Sequence, residues 1–215
     1  MNVQERNQAL DEVIAARRSI RSFKQDQPPR EMIEAILQAG LLAPFAGLAV
    51  GSGKDYRRFV VIPGGSEAST RAVEITKHQM ALMLERLQQT MQQNPSFGEQ
   101  GEPFAKRLEM MARQGLPIGN APYYIVVAER KGVPPVEAQS LAHCLQNMWL
   151  KATALGLGFQ LISATGEMSV NKDFCELLSI PFGEFRLDGC LIGYPDRPPA
   201  LIDRPRLVNV MAWIA

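Results

Sequence analysis

ATALGLGFQLISATG, residues 152–166, runs from an apolar helix end through a glycine turn into a short strand and then a loop of small residues. Upstream, the helix opens after Pro134-Pro135 and spans Val136 to Leu155. Leu141, Leu145, Met148 and Ala152 form one stripe, flanked by Ala138, Ala142 and Ala154. So apolar a surface predicts a central, largely buried helix. Gly156 suits its C-cap, and Phe159 to Ile162 restarts as a strand. Glycine here also permits close backbone approach to a flat ligand, with loop N–H groups to bond it. The Gly156-x-Gly158 pair is not a dinucleotide fingerprint, because it follows a helix rather than a strand and lacks the third glycine.

Outward from this stretch, helices outnumber strands. Glu5 to Arg18 places Leu10, Val13, Ile14 and Arg17 at spacings of three and four, an amphipathic helix with two arginines in its last turn. A second helix runs from about Pro29 to Leu42, with Ile33, Ile36, Leu37 and Leu41 on one face and Pro44 stopping it. After the glycine-rich loop Phe45 to Asp55, Phe59 to Ile62 is an apolar strand ended by Pro63-Gly64-Gly65. Glu67 to about Gln93 reads as a long helix, Asn94 to Gly101 as a break, and Phe104, Leu108 and Met111 as a further helix before Gly115. Tyr123 to Ala128 is a β-branched and aromatic strand. A short helix at about Asn171 to Ser179 precedes a last strand, Phe185 to Ile192, closed by Gly193-Tyr194-Pro195. Strands separated by long helical stretches predict a layered α+β fold.

The 215 residues favour one domain over residues 1–215, with a helical insertion at about 65–120. Its methionines, Met80, Met83, Met91, Met110 and Met111, suit core or interface packing, or else a lid over a ligand. Apolar residues make up 46% and charged residues 21%, so the chain reads as globular rather than disordered. Lysine and arginine total 23 against 22 acids, a net charge of +1, which removes the global case for nucleic-acid or polybasic membrane binding. Any anion site has to come from local clustering. Cys144, Cys175 and Cys190 are widely spaced and odd in number, and His78 and His143 stand alone, so neither a disulfide framework nor a metal site is expected. The first residues carry acids and amides where an export signal needs a basic start and an apolar run, so a cytoplasmic location is expected. No apolar run reaches the roughly 18 residues of a membrane span.

The local clustering is at Arg17-Arg18-Ser19-Ile20-Arg21-Ser22-Phe23, with three guanidinium groups and two serine hydroxyls. Planar fork donors match the oxygens of a phosphate monoester, and hydroxyls fill its remaining acceptor positions. The same residues also suit a plainer role, in which Arg17 and Arg18 complement the helix dipole and Arg21 is solvated. Gly193-Tyr194-Pro195-Asp196-Arg197-Pro198, followed by Arg204-Pro205-Arg206, is either a further piece of such a site or a turn with solvated charges.

Together and in this order, RRSIRSF with its following helix ending in LLAP, ALGLGFQLIS, and LIGYPDRPP resemble the nitroreductase family of FMN-dependent oxidoreductases. The resemblance runs from Glu12 to about Trp213. It implies a nitroreductase-like fold, a central mixed β-sheet flanked by helices, in a homodimer with FMN at the subunit interface. It further implies that Arg17, Arg18, Ser19 and Arg21 contact the FMN phosphate, ribityl chain and ring edge, with Arg204 or the neighbouring Arg206 as a further phosphate contact. Pro44, Phe45, Ala46 and Gly47 would come from the other subunit. Ser163, Ala164, Thr165 and Gly166 would lie along the isoalloxazine, with a backbone N–H near N5. The loop Phe45 to Gly53 departs from the family pattern, having lost polar groups, so its flavin contacts would be apolar or backbone.

The implied activity is two-electron transfer from NADH or NADPH, through flavin N5, to a small electron-poor acceptor such as a nitroaromatic or a quinone. No protein nucleophile is required, which agrees with the lack of an obvious Ser/His/Asp or Cys/His constellation. The same resemblance also admits reductive dehalogenation, flavin breakdown, or a non-enzymatic flavin or corrinoid carrier.

Overall fold

The computed structural model describes residues 2–45, 50, 55–199 and 211–214. The chain order is α1 (Val3–Ala16), α2 (Arg30–Leu41), β1 (Arg57–Pro63), α3 (Glu67–Gln93) and α4 (Pro95–Gln114). It continues with β2 (Tyr123–Arg130), α5 (Glu137–Ala154), β3 (Gly158–Leu161), a 3-10 helix (Ser163–Val170), α6 (Lys172–Leu177) and β4 (Phe185–Gly193). The four strands form one sheet in the order β1-β2-β4-β3.

Every ladder in that sheet is antiparallel. Its parallel contact is the isolated bridge between Ser19 and Phe159, so the mixed character expected of the sheet is confined to that edge. Both faces are covered, as the unbroken burial of residues 124–129 requires. Tyr124, Val126 and Ala128 point into a core with Met80 of α3, Leu108 of α4 and Phe174 of α6. Ile125 and Val127 point the other way, into a core with Ile33 and Ile36 of α2 and Leu141, Leu145 and Met148 of α5. The period of two along β2 thus separates two cores, and the architecture is helix–sheet–helix in three layers.

Local chemistry sets the helix ends. Asn2 caps α1 by accepting from the Glu5 N–H, and the Asn2 N–H donates back to the Glu5 carboxylate, a capping box. Ser66 caps α3 by accepting from the Ser69 N–H, and Asn171 caps α6 by accepting from the Phe174 N–H, each through its side chain alone. The break expected over Asn94 to Gly101 shrinks to Asn94 alone, because Pro95 sits in the first turn of α4, where its missing N–H costs nothing. Gly98 and Gly101 are then helical: α4 packs along α3, and Met91 of α3 lies 3.1 Å from where a Gly101 Cβ would stand. The α1 helix also ends earlier than its apolar spacing predicts. Arg17 is its C-cap, with ψ of 126°, so the arginines lie beyond the last turn in extended chain.

Gly189, on β4, is where the sheet meets the 3-10 helix. A Cβ there would lie 2.8 Å from Thr165 Oγ1 and 3.0 Å from the Tyr124 ring. Those two residues share a buried hydrogen bond of 2.7 Å between their hydroxyls. Gly189→Ala is therefore expected to destabilise the fold by about 1–3 kcal/mol through overpacking. Urea denaturation measures this, and an unchanged midpoint would contradict the close packing.

Candidate functional site

The three segments singled out in the sequence converge at one sheet edge. Beyond α1, the Ile20 N–H donates to the Phe159 carbonyl (3.0 Å), pairing Ser19 with β3. The absence of a side chain on Gly158 permits this, since a Cβ there would stand 2.8 Å from Ile20 Cγ2. Four residues on, Phe23 bridges to Pro195, and the Lys24 N–H donates to the Tyr194 carbonyl (2.9 Å). The Asp196 N–H donates to the Ser22 carbonyl (3.1 Å), while Ser22 Oγ donates to the Asp196 carboxylate (3.0 Å). Residues 17–24 are thus stitched to β3 at one end and to the turn after β4 at the other.

Trp149 of α5 anchors the arginines. Its ring stacks on Phe159, centroids 4.9 Å apart, and the Arg17 guanidinium carbon lies 4.4 Å from the indole centroid. Trp149 Nε1–H donates to the Arg18 carbonyl (3.1 Å). Arg18 turns back, with Nη1 donating to the carbonyls of Ala15 (2.5 Å) and Arg17 (2.7 Å) at the α1 terminus. Ser19 and Arg21 are exposed. Trp149 escaped the sequence reading, although it continues the α5 stripe from Leu145 at a spacing of four.

Of the four small residues after β3, Ser163 and Ala164 line a cavity of about 310 Å³. Its opposite wall is α3 and α4, through Met80, Met83, Phe104, Leu108 and Met111. Met80 and Met111 are buried in the core as well, as the packing role expected of the methionines requires. Met110 is exposed. Thr165 turns away from the cavity. Its hydroxyl is bonded to Tyr124 and its N–H donates to the Ile162 carbonyl (2.8 Å). Gly166 instead borders a second hollow with Lys131, Glu167 and Arg186.

Pro44 and Phe45 lie elsewhere on the chain. The Pro44 carbonyl accepts from Ser140 Oγ (3.3 Å), and Phe45 stacks on Tyr56 with centroids 3.6 Å apart. Ser140 and Trp149 are nine residues apart on α5, about 13 Å along its axis. One chain therefore separates the Pro44 segment from the Arg17 segment. The buried Arg57 holds the Pro44 segment. Its Nε pairs with Glu129 (3.0 Å), Nη1 donates to the carbonyls of Gly40 and Ala43, and Nη2 to Ser140 Oγ. Ala46, Gly47, Arg204 and Arg206 lie outside the described residues.

Burial pushes the Cys144 thiol up to about 12, and that of Cys190 well above its ordinary value. Neither is a thiolate at neutral pH, so neither is poised as a nucleophile. Burial raises the Tyr124 phenol too, against the opposing hydrogen bond from Thr165. Among the described residues, no group of three or more His, Cys, Asp and Glu side chains gathers as a metal site would need. No helix among them is long and apolar enough to cross a membrane.

The sequence matches the Nitroreductase family over residues 14–194. No curated protein matches it. Several solved structures share the fold. A nitroreductase with bound FMN from Bacteroides fragilis NCTC 9343 superposes with a TM-score of 0.70 at 20% identity, over 96% of this chain and 98% of that one. A nitroreductase with bound FMN from Desulfitobacterium hafniense DCB-2 gives 0.63 at 23% identity, over 100% of both chains. A BluB-like flavoprotein from Clostridium difficile 630 gives 0.71 at 19% identity, over 96% of this chain and 99% of that one.

Proposed function

The chain belongs to the nitroreductase family, and on that premise we propose that it is an FMN-dependent oxidoreductase. As a cytoplasmic homodimer it would pass two electrons from NADH or NADPH to an electron-poor small molecule such as a nitroaromatic or a quinone. The observation that carries this reading is the convergence of Arg17–Phe23, β3 with Ser163 and Ala164, and Tyr194–Asp196 on one sheet edge. Guanidinium groups and a serine hydroxyl stand at one end of β3, and the small residues Ser163 and Ala164, which form one side of a largely apolar cavity, at the other. From Phe159 to Ile162 is about 10 Å at the rise of a strand. That donor set fits a ligand with a phosphate at one end and a flat ring at the other.

When bound, FMN supplies a ring nitrogen that accepts a hydride and returns two electrons to a second substrate. The chain's own residues bind and orient. Arg17, Ser19 and Arg21 would hold the phosphate and ribityl chain, with Arg18 contributing its charge from the end of α1, and Arg204 or Arg206 would add to the phosphate. Ser163 and Ala164 present small side chains that let a flat ring approach the backbone, with Thr165 and Gly166 continuing that turn. The apolar wall from α3 and α4 would exclude water.

A second subunit would bring Pro44, Phe45, Ala46 and Gly47 to the ring. The separation of the Pro44 and Arg17 segments within one chain supports this, and so does the apolar surface that one chain leaves uncovered. No α1 residue is buried, and Val3, Leu10 and Ile14 are exposed, as are Leu41 and Leu42 at the end of α2.

Purified protein should be yellow, or turn yellow on FMN titration, and anaerobic NADH or NADPH should bleach that colour. Colourless protein that takes up no FMN would sink the reading. Bleaching with no acceptor turnover would instead favour a carrier, and release of halide or of flavin fragments would favour dehalogenation or flavin breakdown. Arg21→Ala removes charge-assisted bonds of about 1.5–3 kcal/mol each and should weaken FMN binding at least about tenfold. Fluorescence titration tests this, and unchanged affinity removes Arg21 from the site.

A further inference from the structure

Resting on the flavin reading above, in which the ring lies along Ser163 and Ala164, we propose that the α4 side of the cavity takes a flat aromatic monocarboxylate, with Arg107 binding the carboxylate. The cavity's walls are apolar and adaptable. Met80, Leu108 and Met111 are buried, Met83 is partly buried, and Phe104 presents a ring at 48% exposure. Flexible thioethers beside an aromatic edge suit a planar hydrocarbon body. At about 310 Å³ the space is near the lower end of small-molecule pockets, which span roughly 300–1,000 Å³, so it fits one or two fused rings.

Arg107 differs from the other cations around it on α4. Lys106 pairs with Glu102 (3.4 Å), and Arg113 pairs with Glu109 (2.5 Å). Arg107 lines the cavity and has no ion-pair partner among the described residues, so none of its donors is spent on them. A guanidinium fork at an apolar cavity matches a carboxylate in geometry and charge. Glu167, which lines the same cavity, likewise has no ion pair among the described residues and is not bonded to Arg107. Its charge disfavours a second negative group, which selects a monoanion over a dianion or a phosphate. The Arg107 side chain is exposed, so solvent screens the pair and the expected preference is moderate.

The test uses FMN-loaded protein titrated with benzoate and with benzamide, an uncharged analogue of the same shape, read by calorimetry and by the flavin absorbance. Benzoate should bind about tenfold more tightly than benzamide. Arg107→Gln should bring that ratio to about one, Arg107→Lys should keep part of it, and Arg113→Gln should leave it unchanged. Equal affinity for the two probes in the parent protein, no binding of either, or a benzoate preference that survives Arg107→Gln would overturn the proposal. FMN uptake is read first, so the two failures separate. Protein that takes up no FMN overturns the flavin reading together with this one, whereas uptake without a benzoate preference overturns this one alone.

Discussion

Arg57→Met is expected to destabilise the fold by about 3–5 kcal/mol, the usual cost of stranding one partner of a buried ion pair. The Arg57 side chain is 0% exposed and that of Glu129 is 3% exposed, and the two residues face each other across the β1–β2 ladder. Removing the guanidinium leaves the Glu129 carboxylate buried without its counter-charge. It also takes the donor from the carbonyls of Gly40 and Ala43 and from Ser140 Oγ. The double variant Arg57→Met/Glu129→Leu removes the stranded charge but not the loss at the Ala43 carbonyl, worth about 1–3 kcal/mol if left unsatisfied, whereas the Gly40 carbonyl keeps the Ala43 N–H (3.1 Å). It should therefore recover roughly half of the loss. Urea unfolding of the single and double variants measures both quantities. A single variant within 1 kcal/mol of the parent, or a double variant no better than the single, would show that the pair does not carry this energy. The same bonds close the end of α2 and fix the start of the Pro44–Phe45 segment. FMN affinity should consequently fall in the single variant even where the protein remains folded, if that segment serves a second subunit.

What could be read from the sequence was what local periodicity encodes. The buried strand at Tyr123, the central helix after Pro135 and the long helix from Glu67 all emerged within a few residues of their observed ends, because each carries its own pattern of apolar residues. The errors came where a distant partner overrode a local signal. The apolar spacing Leu10, Val13, Ile14 continues onto Arg17, yet the helix stops at Ala16 because the next residues pair with β3, some 140 positions away. The Asn, Pro and Gly content of 94–101 argued for a loop, yet packing of α4 on α3 outweighs the propensity cost of its glycines. The site divides along the same line. Clustered arginines, a glycine turn and a Tyr-Pro-Asp turn stand out by composition, and the fold brings them together. Arg57, Glu129, Arg107 and Trp149 were not legible, since each is one residue in an otherwise ordinary strand or helix. A weak signal did exist for Arg57 and Glu129: opposite charges at the ends of two strands whose interiors are apolar.

Asp188→Asn should raise stability at pH 7 by about 2–3 kcal/mol and leave it unchanged near pH 4. Asp188 lies on β4 opposite Val127, on the sheet face that α5 covers. Burial raises its carboxyl to about 6, against the opposing pull of the Gly189 N–H, 2.7 Å from Oδ1, and of the Arg186 charge. Its ordinary value is 3.8, so the folded chain holds this proton more tightly than the unfolded chain does. The contribution to stability is then fully present below about pH 4, is lost as pH rises through about 6, and stays lost above that. The span corresponds to about 3 kcal/mol at 1.36 kcal/mol per tenfold change, reduced by the solvent that still reaches the side chain. Asparagine keeps an oxygen for the Gly189 N–H and never takes the charge, so the variant should lack this decline. Asp55 does not confuse the window. Its hydrogen bonds to Arg58 and then Arg130 hold its carboxyl at about 2, and it stays ionised throughout. The decisive quantity is the difference between parent and variant across pH 4 to 8, because every other titrating group contributes equally to both and cancels. Parallel curves over that range would mean that the Asp188 carboxylate is as well solvated folded as unfolded. A difference that opens between pH 4 and 6 and then levels off would mean that β4 carries an uncompensated charge beneath α5.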